Sequence, residues 1–138
     1  MTTEERVGRR TVRVPHAAGA PRAARALLRR TVGEVLGGVA PAGLADAELA
    51  LSELVTNAVR HGGPPIGLRL AVSPEWISIE VRDGGRGRPV VREPDPDAVS
   101  GRGLAIVRAV ADEWGVRRDG SGTVVHAVLP LRRTPAAA

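Results

Sequence analysis

Apolar residues recur every three or four positions in three stretches of the chain, the spacing that places them on one side of a helix. The first stretch covers residues 21–36 and ends at two glycines, with Arg22, Arg25 and Arg29 on its polar side. The second covers about residues 45–61 and precedes Gly-Gly-Pro-Pro, a double stop signal. The third covers about residues 103–114. The pattern therefore predicts three amphipathic helices.

Alternation between apolar and polar positions predicts the strands. Residues 66–72 and 76–82 alternate in this way and are separated by Ser-Pro-Glu, which suits a hairpin. Residues 11–14 and 122–129 predict a short first strand and a final strand. Strands and helices in this order along the chain indicate an α+β fold, built as a two-layer sandwich.

The length of 138 residues corresponds to one domain. We expect this domain to cover residues 10–131, with disordered tails at residues 1–9 and 132–138. Residues 83–102 are rich in Gly, Pro and charge and show no periodicity. A connection of this length inside a compact domain is either functional or mobile.

Composition excludes several classes of activity. All 20 basic residues are Arg, so a P-loop NTPase or a Schiff-base enzyme, each of which needs a lysine, is excluded. The lack of Cys excludes disulfides, thiolate metal sites and cysteine nucleophiles. The three His are scattered and form no spaced set of metal ligands.

Charge is concentrated at one end of the chain. Residues 1–33 contain eight Arg and two Glu, a net charge of +6, whereas the remaining residues have a net charge of −1. The near-neutral larger part argues against a nucleic-acid-binding groove, and the basic first helix is a candidate surface for an acidic protein partner, with DNA as the alternative. Because no apolar run resembles a signal peptide or approaches the ~20 residues of a membrane span, we expect a soluble cytoplasmic protein.

The second predicted helix carries a pair of polar residues of types that can bind a metal ion. Glu53 and Asn57 are four residues apart and therefore share a face, about one turn from each other, together with Arg60 or His61. A carboxylate and an amide oxygen suit Mg²⁺ and its waters, and Asn is a poor choice for a helix interior. An ordinary solvated helix face is the alternative for this pair.

Asp83 continues an alternating strand onto its apolar side. Ile77, Ile79 and Val81 share one face, and the period places Asp83 on the same face. A carboxylate at the edge of a core needs a donor, such as the amino group of an adenine. Gly85 and Gly87 would let backbone approach a flat ligand. The alternative is a turn residue, since Asp-Gly is a strong turn signal.

Two further signals are weaker. Gly101-Arg102-Gly103-Leu104 stands at the start of the third predicted helix, where free N–H groups and the helix dipole suit phosphate; a flexible start of a helix is the alternative. Thr123 is in register with Val125 and Ala127, which directs its hydroxyl to the face of the sheet that carries Asp83, although Thr is also a common strand residue.

Together these signals form one ordered set: Glu53-x-x-x-Asn57, Asp83-x-Gly85-x-Gly87, Gly101-x-Gly103-Leu104 and Gly122-Thr123. The set resembles the N, G1 and G2 boxes of the GHKL superfamily, whose members share the Bergerat ATP-binding fold. LSELVTNAVRHG, VRDGGRG and GRGLAIVRAVAD are most similar to the anti-sigma-factor serine/threonine kinases. The resemblance spans about residues 11–130 and implies a mixed, mainly antiparallel sheet with three helices on one face and ATP held between the helices and a lid.

The resemblance also implies roles for individual residues. Glu53 resembles the general base that takes the proton from the substrate hydroxyl, and Asn57 resembles the Mg²⁺ ligand. Asp83 resembles the carboxylate that reads adenine, helped through water by Thr123. The other residues expected to bind ATP are Gly85 and Gly87 at the base, Gly101, Gly103 and Leu104 at the phosphates, and Arg60, His61 and Arg102 as phosphate neighbours.

By resemblance, the chain is expected to be an ATP- and Mg²⁺-dependent protein serine/threonine kinase and an anti-sigma factor in transcription regulation. It would sequester a sigma factor and phosphorylate an anti-anti-sigma (STAS-type) partner, as a homodimer, with no direct contact to nucleic acid or membrane. An ATP-gated protein-binding module without phosphoryl transfer is the alternative. The proline-rich lid, residues 88–100, is the part that leaves substrate positioning open.

Overall fold

The computed structural model describes residues 6–38, 40–85 and 99–132, with side chains from residue 104 onward in the last of these segments. They form three helices and five strands. In chain order these are β1 (Gly8–Val14), α1 (Ala20–Leu36), α2 (Leu44–His61), β2 (Ile66–Val72), β3 (Trp76–Asp83), α3 (Val99–Val110), β4 (Glu113–Asp119) and β5 (Gly122–Pro130).

The strands form a single sheet in the order β1-β2-β3-β5-β4, and every strand pair among the described residues is antiparallel. The helices lie against one face, with α1 on β1 and β2, α2 on β3 and β5, and α3 beside α2 and β4. This arrangement confirms the predicted α+β two-layer sandwich. No helix in the described segments is long and apolar enough to cross a lipid bilayer.

An aliphatic core fills the space between the two layers. Leu28 on α1, Leu51 on α2 and Ile79 on β3 are fully buried. Each side chain of this kind stabilises the fold by about 1.5–3 kcal/mol when it leaves water. The opposite face of the sheet carries no helix among the described residues, and its positions are mainly polar or small, as expected for an antiparallel sheet with one solvated face.

The third helical region differs from its prediction. α3 begins at Val99 and ends at Val110, and Trp114 lies on β4, a strand that the apolar pattern did not predict. Helical spacing continues from α3 to Trp114, and Gly115 looks like a strand breaker. In the structure Gly115 lies within β4 and leaves room for the ring of His126 on the neighbouring strand, since a Cβ at Gly115 would lie 2.7 Å from Cε1 of His126 in its present position.

The first strand is also longer than predicted. β1 begins at Gly8, within the segment expected to be a disordered tail. A Cβ at Gly8 would lie 2.6 Å from a methyl group of Val35, so glycine lets α1 pack closely against the start of the strand. Of the expected tails at residues 1–9 and 132–138, residues 1–5 and 133–138 lie outside the described residues, and Arg132 forms a backbone bridge with Ala42.

Candidate functional site

Asp83 is the last residue of β3 and lies in a row of side chains that crosses the sheet. It pairs with Thr123 on β5, which pairs in turn with Arg118 on β4. Directly opposed residues in antiparallel strands project from the same face. The register therefore places Thr123, which is only 6% exposed, beside Asp83 on the helix side of the sheet.

The Asp83 carboxylate is partly buried and has one hydrogen-bond donor among the described residues. Its Oδ1 accepts from the backbone N–H of Gly85 at 2.9 Å. Burial raises the pKa of Asp83 above its ordinary value, and the hydrogen bond from Gly85 acts in the opposite direction. Asp83 thus makes the hydrogen bond of a turn residue, as the Asp-Gly sequence suggests, although it is part of β3. Its carboxylate is only partly solvated.

Glycines surround Asp83 where side chains would collide with it. A Cβ on Gly62 would lie 2.5 Å from Cγ of Asp83, and a Cβ on Gly122, whose φ is +141°, would lie 1.9 Å from the Asp83 carbonyl oxygen. The backbone N–H of Gly84 donates to the Gly63 carbonyl at 2.8 Å, which ties the end of α2 to the end of β3. Asp83 therefore sits in a cradle built from backbone.

Sequence reasoning missed the part that Gly62 plays in this cradle. The Gly-Gly-Pro-Pro run predicts the end of a helix, and Gly62 does follow the last residue of α2. Its second role, close contact with a carboxylate 21 positions away, depends on how α2 crosses the sheet. A glycine after a helix looks the same in the sequence whether it only ends the helix or also contacts a carboxylate, so the sequence does not distinguish the two roles.

The polar pair predicted on the second helix lies on α2, upstream of this cradle. Glu53 and Asn57 are partly buried, and their side chains form no hydrogen bond or ion pair within the described residues. At 1.5 Å per residue, Asn57 lies about 7–8 Å along the helix axis from Gly62, and Glu53 lies about 6 Å further. Asp83, Asn57 and Glu53 therefore follow one another away from the end of β3.

The remaining predicted residues fall in three places. Arg60 and His61 are exposed in the last turn of α2. Leu104 on α3 is partly buried against the core. Gly101, Arg102 and Gly103 lie inside α3, because the helix begins two residues before Gly101 and not after it as predicted. The side chain of Arg102, the whole of Gly87 and residues 88–98 of the lid lie outside the described part of the chain.

A cavity of about 680 Å³ opens at this end of the sheet, lined by Gly84, Gly85, Arg118 and the turn at residues 119–122. Its size is that of a small-molecule site. No group of three or more His, Asp or Glu that could hold a metal lies in the described segments.

The described residues thus form an α+β sandwich in which a partly buried carboxylate at the end of β3 meets glycines at the end of α2 and at the start of β5. The sequence of residues 17–129 matches the histidine kinase-like ATPase domain family. This match covers most of the chain, and the chain belongs to that family. The resemblance to the GHKL superfamily is therefore confirmed.

Solved structures of similar fold include the RsbU and RsbW domains of Rv1364c from Mycobacterium tuberculosis, with a TM-score of 0.63 and 24% identity over 94% of this chain. The histidine kinase domain of the blue-light activated histidine kinase EL346 from Erythrobacter litoralis has a TM-score of 0.51 and 25% identity over 78% of the chain. The chain spans 35% and 60% of the lengths of these two structures. No curated protein matches its sequence.

Proposed function

We propose that this chain binds ATP with the adenine amino group donating to Asp83. The observation that carries the proposal is the placement of an under-solvated carboxylate against the backbone of Gly62, next to a cavity that Gly84 and Gly85 line without side chains, so that a flat base can approach backbone there. Membership of an ATPase domain family supports the same ligand. Guanine presents a carbonyl in place of the amino group, so the carboxylate should favour adenine.

The order of polar groups along α2 supports a place for the phosphates. With the base at Asp83, the phosphates of an extended nucleotide would be held along α2, where the amide oxygen of Asn57 would serve as a Mg²⁺ ligand and Glu53 lies one turn further. Arg60, His61 and Arg102 are the cationic neighbours proposed for the phosphates, and Gly101, Gly103 and Leu104 the backbone that closes over them. Gly85 and Gly87 would border the base, and Thr123 would hold a water between itself and Asp83.

We further propose that the chain is a protein serine/threonine kinase. Bound ATP supplies the phosphoryl group and Mg²⁺ neutralises its charge. Glu53 would accept the proton of the substrate hydroxyl, and its position one helical turn beyond Asn57 supports this role, because the phosphates are proposed to lie at Asn57. The sequence resemblance to anti-sigma-factor kinases, and a fold shared with a structure that contains an RsbW domain, support this reaction.

The same resemblance suggests a sigma factor and a STAS-type anti-anti-sigma factor as partners, a homodimer and a cytoplasmic location. The arginines of α1 are the surface we propose for an acidic partner. Arg25 donates to the Ser52 hydroxyl at 2.7 Å and Arg29 pairs with Glu48, so both lie over the helix that carries Glu53. Arg22 is exposed beside them. A partner bound here would be close to the proposed base.

Phosphate transfer from labelled ATP with Mg²⁺ to STAS-domain proteins of the source organism tests the kinase. We expect labelling by the wild type and loss of at least about 100-fold in rate for Glu53→Gln, the scale of a general base. Glu75→Gln is the matched control, because Glu75 is exposed in the turn at the opposite end of β3. ATP binding without labelling, and no difference between wild type and Glu53→Gln, would establish the ATP-gated binding module instead.

A further inference from the structure

A polar cluster on the open face of the sheet lies directly behind the proposed adenine site. Arg82 precedes Asp83 on β3 and therefore projects from the opposite face. Its guanidinium donates to Asp119 Oδ1 at 2.9 Å and to the Ser121 hydroxyl at 2.7 Å, and lies 2.8 Å from Asp119 Oδ2. We call Arg82, Asp119 and Ser121 the turn clamp.

The turn clamp closes the two-residue turn between β4 and β5. Asp119 Oδ1 accepts from both the backbone N–H and the hydroxyl of Ser121, at 2.9 and 2.7 Å. These hydrogen bonds and Arg82 lower the pKa of Asp119 to about 2, so its carboxylate is ionised throughout the neutral range. The turn is thereby held to β3 by a charged contact that spans 37 positions of the sequence.

The residues that follow the turn contact Asp83 itself. Gly122 approaches so closely that a Cβ would lie 1.9 Å from the Asp83 carbonyl oxygen, and Thr123 is the direct partner of Asp83 in the sheet. The turn also forms one wall of the cavity, which is lined on its other side by Gly84 and Gly85, the two residues that follow Asp83. A shift of the turn would therefore move Thr123 and the cavity wall relative to the carboxylate.

We propose that the turn clamp is a positioning device for the nucleobase: it holds Gly122 and Thr123 against Asp83 and so sets both the affinity for adenine and the preference for adenine over guanine. Arg82 acts from the other face of the sheet and does not line the cavity, whereas Asp119 and Ser121 belong to the turn that forms its wall. This inference rests on the proposed function, since it assigns the site of Asp83 to a nucleobase.

The turn clamp differs from other ion pairs on the open face because it contacts the turn next to the base site. Arg82 and Asp119 are 39% and 41% exposed, and exposed ion pairs contribute little to the stability of a fold. Arg69, on the same face, lies 3.6 Å from Glu80 and does not contact the turn. Removing either pair should change global stability little, whereas only removal of the clamp should alter the base site.

Calorimetric titration with ATP and GTP tests the proposal in wild type, Arg82→Gln and Asp119→Asn, with Arg69→Gln as the matched control. We expect the two clamp variants to weaken ATP binding about 10-fold, the lower end of the range for a lost hydrogen bond to a charged group, because the clamp acts on Asp83 only through Gly122 and Thr123. In the same variants we expect the ratio of ATP affinity to GTP affinity to fall. Arg69→Gln should stay within about 2-fold of wild type, since an exposed pair contributes little.

A second readout separates positioning from loss of fold. Amide hydrogen exchange at Gly122 and Thr123 should accelerate in Arg82→Gln, while exchange in the core of α2 stays as in the wild type. Thr123→Val provides a further check. In a Thr123→Val background, the clamp substitutions should lower ATP affinity by less than they do in the wild type.

The outcomes are distinguishable. Unchanged ATP affinity and base preference in folded clamp variants would overturn the positioning role while leaving ATP binding intact. A loss of affinity that accompanies faster exchange throughout the core would overturn it as well, because the substitutions would then act through global unfolding. A wild-type chain that binds no ATP would overturn the proposed function and, with it, this inference.

Discussion

Replacing Gly62 by Ala should damage the adenine site through one added methyl group. The new Cβ would lie 2.5 Å from Cγ and 2.7 Å from Cβ of Asp83, and 2.7 Å from the carbonyl oxygen of Ala58. Two of these contacts are with Asp83, whose carboxylate is held by the hydrogen bond from Gly85, and the third is with the backbone of α2, so none of them is with the end of a flexible side chain. The φ of Gly62, −88°, is one that alanine also adopts, so the expected effect is steric.

The size of the effect follows from these distances. Carbon atoms in contact are about 3.5–4.0 Å apart, so Asp83 or the end of α2 must move by about 1 Å. A displacement of that size exceeds the spread of hydrogen-bond lengths and would break the bond from adenine to Asp83. A hydrogen bond to a charged group contributes about 1.5–3 kcal/mol, which corresponds to about a 10- to 150-fold loss of ATP affinity. Overpacking would also lower stability by about 1–3 kcal/mol.

Isothermal titration calorimetry with ATP measures the loss of affinity, and thermal unfolding measures the loss of stability. Gly63→Ala is the control. A Cβ at Gly63 would lie 3.5 Å from the nearest atom of Gly85, an ordinary contact, so this neighbouring variant should bind ATP as the wild type does. If folded Gly62→Ala bound ATP as tightly as Gly63→Ala, the geometry that links the end of α2 to Asp83 would not control the site, and the result would refute this reasoning.

Three further predictions concern single residues. Asp83→Asn should weaken ATP binding by about 1–3 kcal/mol in calorimetry, and unchanged affinity would reduce Asp83 to a turn residue. Because burial raises the pKa of Asp83 and adenine needs the ionised form, wild-type affinity should begin to fall on acidification at a higher pH than for an ordinary aspartate; a flat profile that matches Asp83→Asn would contradict this. Asn57→Ala should abolish the Mg²⁺ dependence of ATP binding while Mg²⁺-free binding persists, and an unaltered Mg²⁺ titration would argue against a ligand role.

Local patterns were sufficient for most of the secondary structure. Helical spacing identified α1 and α2 close to their observed bounds, and alternation identified β2 and β3. The same alternation placed Asp83 on the apolar face, where the structure has it. These features depend on periods of 3.6 and 2 residues, which a linear sequence displays directly.

β4 shows where such patterns stop being sufficient. Its residues, EWGVRRD, contain a glycine and four charges, and they follow a helix whose periodicity continues into them. The strand forms because β5 offers it a hydrogen-bonding edge and His126 occupies the space over Gly115. A strand stabilised mainly by its neighbour carries a weak signal of its own.

The residue types of the candidate site were present in the sequence, whereas their environment was decided only by tertiary structure. Glu53 and Asn57 share a face by spacing alone. The contact of Gly62 with Asp83 and the reach of Arg82 to Asp119 join positions 21 and 37 residues apart. Such contacts depend on how α2 crosses the sheet and on the register of β3, β4 and β5, and a shift of one residue would turn Asp83 to the open face. Sequence therefore determined which chemical groups this protein has, and packing determined which of them meet.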